Sequence, residues 1–197
     1  DPKLIFSLPK STYNSSKKVI SGLGVIPRVV GEGRNIYGKK LDFSEVQLRL
    51  KNFYFPYHIK LKDIININLS KFGEVLIFDC HSMPHNSLSN FTCDEKDKPD
   101  IVLGNCYGGT CKKEIFELTK KIFVEKGFKV SLNVPFCGGF ITKNYGKPKK
   151  NINCIQIEIN RKLYMDERRQ IKNNDFEKIK NIFYTISLEL SEILNLK

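Results

Sequence analysis

An α/β domain built on a mixed, largely parallel central sheet flanked by helices is the fold class this sequence predicts, and three observations carry it. Apolar segments of strand length at residues 75–78, 101–103, 128–133 and 152–159 alternate with segments of helical period. The 197 residues, 41% hydrophobic, suffice for one domain with a real core. The run GEVLIF then ends abruptly in Asp79, Cys80, His81 and Ser82. A polar cluster at the carboxyl end of a strand is where open α/β sheets bind ligands.

The elements follow in order. Residues 1–21 are polar, with Pro2, Pro9 and a Ser/Asn cluster, and read as irregular. A short apolar stretch at 23–30 leads into the loop GEGRNIYGKK. Val46, Leu50, Phe53, Tyr57, Leu61 and Ile64 recur at helical spacing, with Ser44 as N-cap and Pro56 enforcing a kink or a junction near Tyr54. Gly73 ends that region and the strand 75–78 follows. Residues 85–99 are polar and aperiodic and read as a mobile loop. Residues 101–103 form a short strand and 104–109 a glycine-bearing turn. The spacing of Ile115, Phe116, Leu118, Ile122 and Phe123 predicts a helix over 112–126, closed by Gly127. After the strand 128–133 come PFCGGF, a loop and the strand 152–159. Ile179, Phe183, Ile186, Leu190 and Ile193 define a last amphipathic helix over 176–196. The chain reads as a single domain without internal repeats.

Composition narrows the function classes. There is no apolar run of about eighteen residues and no signal-peptide pattern, so a cytoplasmic protein without a membrane partner is expected. The six cysteines stand singly, without a CxxC pair, which favours reduced thiols. The formal charge of +12 raises nucleic acid as a partner. The lysines are dispersed rather than gathered in a block, and no nucleic-acid motif accompanies them, so a solvated basic surface is the expectation.

The candidate chemistry rests on few residues. Asp79 and His81 are two apart and point the same way in extended chain. His81 reads either as a structural histidine or as a metal ligand; Asp79 then supports its second nitrogen or bonds backbone amides. Ser82 and Met83 would line the site. His85 is four residues on, but Pro84 and the Ser/Asn run argue against a shared helix face. Ile155, Ile157 and Ile159 alternate with Gln156, Glu158 and Asn160, so the polar three face the other way. A buried Glu158 is either a general base or one half of a salt bridge to Arg161 or another of the many basic residues. The glycine turns NVPFCGGFIT and LGNCYGGTC suit close backbone approach to a ligand or a plain tight turn. Cys106 and Cys111, four residues apart without a second pair, are poor metal ligands. His58 reads as a core or boundary histidine. Arg28 and Arg34 flank a glycine loop and have the fork that suits a carboxylate.

Five blocks together resemble the N-formylglutamate amidohydrolase family: GLGVIPR with NIYGKKL, FYFPYHIKL, FDCHSMP, DIVLGNCYGGTC, and NVPFCGGFITKNYGKP followed by IQIEINRKLYMDE. The resemblance implies a three-layer α/β sandwich like that of zinc carboxypeptidases, phosphorylase/hydrolase-like, and hydrolysis of the formamide of an N-formyl amino acid such as N-formylglutamate, within histidine degradation. It implies zinc as cofactor, His81 as one ligand, Glu158 as general acid/base, and Arg28, Asn133 and Arg161 as groups holding substrate carboxylates. The family draws its first histidine ligand from a Pro-His-Ser/Ala-Gly motif that this chain lacks, and Asp1-Pro2 resembles the stretch after it. Two expectations follow: the remaining ligands lie upstream of residue 1, or the chain is a non-catalytic relative that binds a carboxylate or a protein partner.

Overall fold

A computed structural model describes residues 17–30, 33–90, 92 and 94–195. Cys93, Gly31, Glu32 and most of the leading polar segment lie outside them. The chain divides into two compact units, the first ending at Asp63 and the second beginning at Ile64.

The first unit holds a helical turn α1 (Lys17–Ile20) and helix α2 (Phe43–Arg49). Helix α2 is capped by Asp42, whose carboxylate accepts from Glu45 N at 2.9 Å, rather than by Ser44. Ser44 sits inside the first turn and donates its hydroxyl to the same carboxylate. The expected break at Pro56 takes the form of a π-helical turn, Leu50–Tyr54, between α2 and the long helix α3 (Phe55–Phe72). Proline has no N–H and crowds the carbonyl four residues back, and the wider turn accommodates both. His58 is half-buried on α3 between the rings of Tyr54 and Tyr57, and its pKa is lowered by burial. That agrees with a boundary histidine. The unit boundary falls within α3.

The second unit carries a four-stranded sheet of order β1-β4-β2-β3. Its strands are β1 (Val75–Met83), β2 (Ile101–Gly104), β3 (Val130–Leu132) and β4 (Ile152–Asn160). β1 runs parallel to β4 and β2 parallel to β3, while β2 and β4 are antiparallel. The sheet is mixed and largely parallel, as the sequence predicts. β1 is longer than its apolar run suggests, so Asp79, His81 and Ser82 lie within the strand rather than past its end.

Helices α4 (Lys113–Glu125) and α6 (Phe176–Asn195) cover one face of the sheet. Ile101, Leu103, Ile155 and Ile157 pack there on Ile115, Phe116, Phe123, Ile186 and Leu190. Phe123, Phe128 and Phe183 meet as an aromatic trio at centroid distances of 5.4–6.0 Å. The Asn153 side-chain oxygen accepts from Lys112 N at 2.8 Å, taking the place of a local N-cap for α4. Gly127, at φ +87°, ends α4 as its sequence position implies. Four elements are absent from the sequence reading: the turn α1, which falls in the stretch read as irregular, the short helix α5 (Phe140–Tyr145) and the two-residue strands β5 (Met165–Asp166) and β6 (Ile171–Lys172). The polar stretch after β1 is not a plain loop, for it forms two 3₁₀ turns, His85–Asn90 and Glu95–Asp97.

Phe123 is fully buried at the centre of this core. Phe123→Ala is expected to destabilise the protein by about 3–5 kcal/mol, read as a lower midpoint in denaturant unfolding.

Candidate active site

The second face of the sheet is the polar one. Parallel pairing of β1 with β4 sets His81 beside Glu158 and Asp79 beside Gln156. Antiparallel pairing sets Val102 of β2 on the far side of Glu158. Four polar side chains therefore share one patch of sheet because of register alone.

His81 Nε2 lies 2.9 Å from Asp79 Oδ1. A carboxylate only accepts, so this bond puts the proton on Nε2 and leaves the Nδ1 lone pair available to a metal or a proton. Asp79 is only 12% exposed, and its other oxygen accepts from the fully buried Thr142 hydroxyl on α5 at 3.2 Å. Asp79 thus bonds His81 and is itself held by Thr142.

Glu158 is 7% exposed. Among the described residues it forms no ion pair, so the salt bridge to Arg161 is not the arrangement found. One carboxylate oxygen instead accepts from the Gln156 amide at 3.0 Å. Burial pushes its carboxyl pKa up and the Asp79 charge adds to this, while His81, Gln156 and Arg161 oppose it. A proton acceptor with raised affinity, kept from water beside an imidazole, suits general acid/base work.

Arg161 follows β4. Its Nε donates to Ser82 Oγ at 3.1 Å, and its Nη1 stands 4.0 Å from Glu167. Glu167 also accepts from His85 N, which ties the segment after β1 to the one after β4. The rest of the half-exposed guanidinium is free to meet an anion. Ser82 thus aims an arginine.

Asn133, at φ +61°, spends its side chain on the neighbouring turn. Its oxygen accepts from Asn105 N and Tyr107 N, and its nitrogen donates to Asn105 Oδ1. Arg28 belongs to the first unit, where it is exposed and lines a cavity of about 500 Å³ with Tyr37, Lys39 and Lys40.

His85 has a neighbour on each of its ring nitrogens. Asn160 Nδ2 donates to Pro99 O and to His85 Nδ1, and its Oδ1 accepts from Lys162 N. The two backbone partners fix the amide's orientation, so Nδ1 is an acceptor and Nε2–H donates to Glu95 at 2.6 Å. Both ring nitrogens are committed. Glu95 also pairs with the buried Lys98, and its pKa is lowered to about 2, with Lys98 the largest cause and His85 the next.

Among the described residues no group of three or more His, Cys, Asp or Glu side chains could hold a metal ion. A catalytic zinc takes three protein ligands. His81 fits as one, and the described residues do not complete the set. Cys80, Cys106, Cys111, Cys137 and Cys154 are free thiols. Among the described residues no helix is long and apolar enough to cross a membrane. Gln156, Thr142 and Glu167 are contributors that sequence reasoning did not single out. Only Gln156 left a signal, through its two-residue spacing from Glu158.

Residues 2–165 match the family model described as N-formylglutamate amidohydrolase, and the chain belongs to that family. It is 31% identical over 147 residues to an N-formylglutamate deformylase of Pseudomonas putida, a match covering 73% of this chain and 54% of the relative. It is 28% identical over 148 residues to one of Pseudomonas aeruginosa, covering 74% and 54%. The chain thus spans about half the length of the curated relatives it matches. The crystal structure of N-formylglutamate amidohydrolase from Ralstonia eutropha JMP134 superposes with a TM-score of 0.85 at 31% identity, covering 95% of this chain and 68% of that one. The expected α/β fold is borne out.

The raised Glu158 pKa has a consequence for stability. The folded protein holds this proton more tightly than the unfolded chain does. Stability therefore falls as pH rises from the ordinary carboxylate value of 4.5 through the raised one. Glu158→Gln keeps the acceptor for Gln156 and removes the buried charge. Its Tm is expected to exceed the parent's at neutral pH by about 2–4 °C. The gap should close near about pH 4, where the parent carboxyl is neutral too. Thermal melts at the two pH values check this.

Proposed function

We propose, from the premise of this family membership, that the protein hydrolyses the formamide bond of N-formylglutamate or a similar N-acyl amino acid, yielding formate and the free amino acid. The observation that carries the reading is Glu158, buried and in register with the Asp79-supported His81. The named activity of the Pseudomonas relatives supports it.

In this reading Glu158 takes a proton from water as the oxygen attacks the formyl carbon. The carbonyl π electrons move onto oxygen, and a tetrahedral adduct forms. Glu158 then returns the proton to the amide nitrogen. The C–N bond breaks as the C=O bond re-forms, and the formic acid so released gives its proton to the amine, leaving formate and the ammonium group. Using one carboxyl for both transfers calls for a pKa nearer working pH than an ordinary glutamate has, the direction burial gives here. Arg161, aimed by Ser82, offers its remaining donors to a substrate carboxylate. Arg28 is a second candidate for an acidic substrate, argued from the family resemblance and its cationic cavity. Asn133 enters indirectly, by holding the turn after β2.

Zinc is proposed for the whole protein only as far as this chain's share. His81 would supply one ligand through the nitrogen that Asp79 leaves unbonded. A second reading, a non-catalytic relative that binds a carboxylate or a protein partner, is favoured by the incomplete ligand set among the described residues.

The full-length protein is expected to release formate from N-formylglutamate. Glu158→Gln should abolish release, by at least about a hundredfold, while leaving zinc bound. His81→Ala should lose the zinc as well. Full turnover in the Glu158 variant would remove it from its role, and a parent without zinc or turnover would favour the second reading. Formate assays and elemental analysis on the same samples decide.

A further inference from the structure

Gln156 has no part in the chemistry above, yet it is 5% exposed and its amide has no freedom of orientation. Its Oε1 accepts the Gly139 N–H at 2.6 Å. A backbone N–H can only donate, so the oxygen must face Gly139 and the NH2 must face Glu158, 3.0 Å from Oε1. The amide therefore reads the position of one loop and transmits it to the carboxylate.

The loop is fixed from several sides. A Cβ on Gly104, at the end of β2, would stand 2.6 Å from Phe136 O. One on Gly138 would stand 2.6 Å from Cys106 Sγ, and Gly138 has a φ of +136°. Cys106 N donates to Cys137 O at 2.6 Å. Gly104 thus lies against backbone, and Gly138 against the Cys106 and Thr142 side chains, where a Cβ would have forced separation. Gly139 also caps α5, whose Thr142 holds Asp79. One short segment consequently reaches both halves of the site: Asp79 and His81 through Thr142, and Glu158 through Gln156.

We infer that Gln156 is a positioning residue for Glu158: the Gly139 N–H fixes its amide, and the amide holds one carboxylate oxygen so that the other is presented to the attacking water. This rests on the reading of Glu158 as the general acid/base. Water would satisfy Glu158 equally well in an open site. In a buried one, a carboxylate without a fixed donor would sample several rotamers, and misplacement by about 1 Å costs rate rather than affinity. A purely structural Gln156 would instead affect folding and leave turnover alone.

The test is a double-mutant cycle on the full-length, zinc-loaded protein. Gln156→Met keeps length and loses both hydrogen bonds. Gly139→Ala adds a Cβ about 3.1 Å from Gln156 Oε1, at a φ of −89° that alanine accepts. Gln156→Met is expected to lower kcat roughly 10- to 100-fold, as loss of a supporting hydrogen bond does. KM should stay within about twofold of the parent and zinc content unchanged. Gly139→Ala should lower kcat several-fold in the parent and have no further effect in the Gln156→Met background, because it acts through the same amide. In a crystal structure of Gln156→Met the Glu158 carboxylate should leave its rotamer. A kcat within about twofold of the parent, or an equal Gly139→Ala effect in both backgrounds, overturns the inference. So does an unmoved Glu158. If Gln156→Met does not fold, Gly139→Ala alone decides, with unchanged kcat the overturning result. A parent that releases no formate sinks the functional reading instead, and the position of Glu158 in the variant structure still decides on Gln156.

Discussion

The register between β1 and β4 is the constraint on which the rest depends. Nine residue pairs, from Val75 beside Ile152 to Met83 beside Asn160, lock the two strands in parallel. Side chains alternate with a period of two, so a slip of one residue would send every functional group to the opposite face. The apolar face prevents that slip. Leu76 and Phe78 join Ile155 and Ile157 beneath α4 and α6, and a one-residue slip would put Asp79 or Glu158 into that core. The helices that never touch the site thus decide where its residues point.

This division also accounts for a buried Glu158. Taking a carboxylate from water costs several kcal/mol unless it is compensated. The compensation on this face is incomplete: a neutral amide donor at 3.0 Å, an imidazole on the neighbouring strand, and Arg161 acting at longer range. Asp79 nearby works against it. The shortfall is what raises the pKa. A direct Glu158–Arg161 bridge would be more stable and would make a poorer base, since ion pairing favours the charged form. Arg161 is instead drawn to Ser82 and Glu167, which leaves Glu158 in its costlier state. The core supplies the stability that this arrangement consumes.

Much of this was legible in the sequence, for identifiable reasons. Alternation of Ile155, Ile157 and Ile159 against Gln156, Glu158 and Asn160 is a strong period-two signal, and it divided the faces of β4 correctly. The spacing of Asp79 and His81 put them on one side, and their hydrogen bond follows. Glycines at 73 and 127 marked helix ends because only a left-handed turn was needed there. Helix α5 was hidden because six residues between Gly139 and Gly146 are too few to show a helical period. Thr142 was hidden with it, since its hydroxyl reaches Asp79 across 63 positions of sequence. Asn133 shows the opposite difficulty. A polar side chain before paired glycines suits a ligand or a turn equally, and only its positive φ and its bonds to 105 and 107 assign it to the turn.

The two histidines flanking Pro84 show what kind of information was missing. His81 and His85 look equivalent in a sequence, each at the edge of a polar run. What separates them is the fate of the second ring nitrogen. His85 donates through Nε2 to Glu95 and accepts at Nδ1 from an Asn160 amide that two backbone groups hold in one orientation. Binding a metal would break one of those bonds at a largely buried position. His81 gives one nitrogen to Asp79 and keeps the other unbonded on a side chain that is 47% exposed. Residue type alone predicts two similar imidazoles. The hydrogen-bond inventory makes one of them a strut between the ends of β1 and β4 and leaves the other as the imidazole with chemistry still to do.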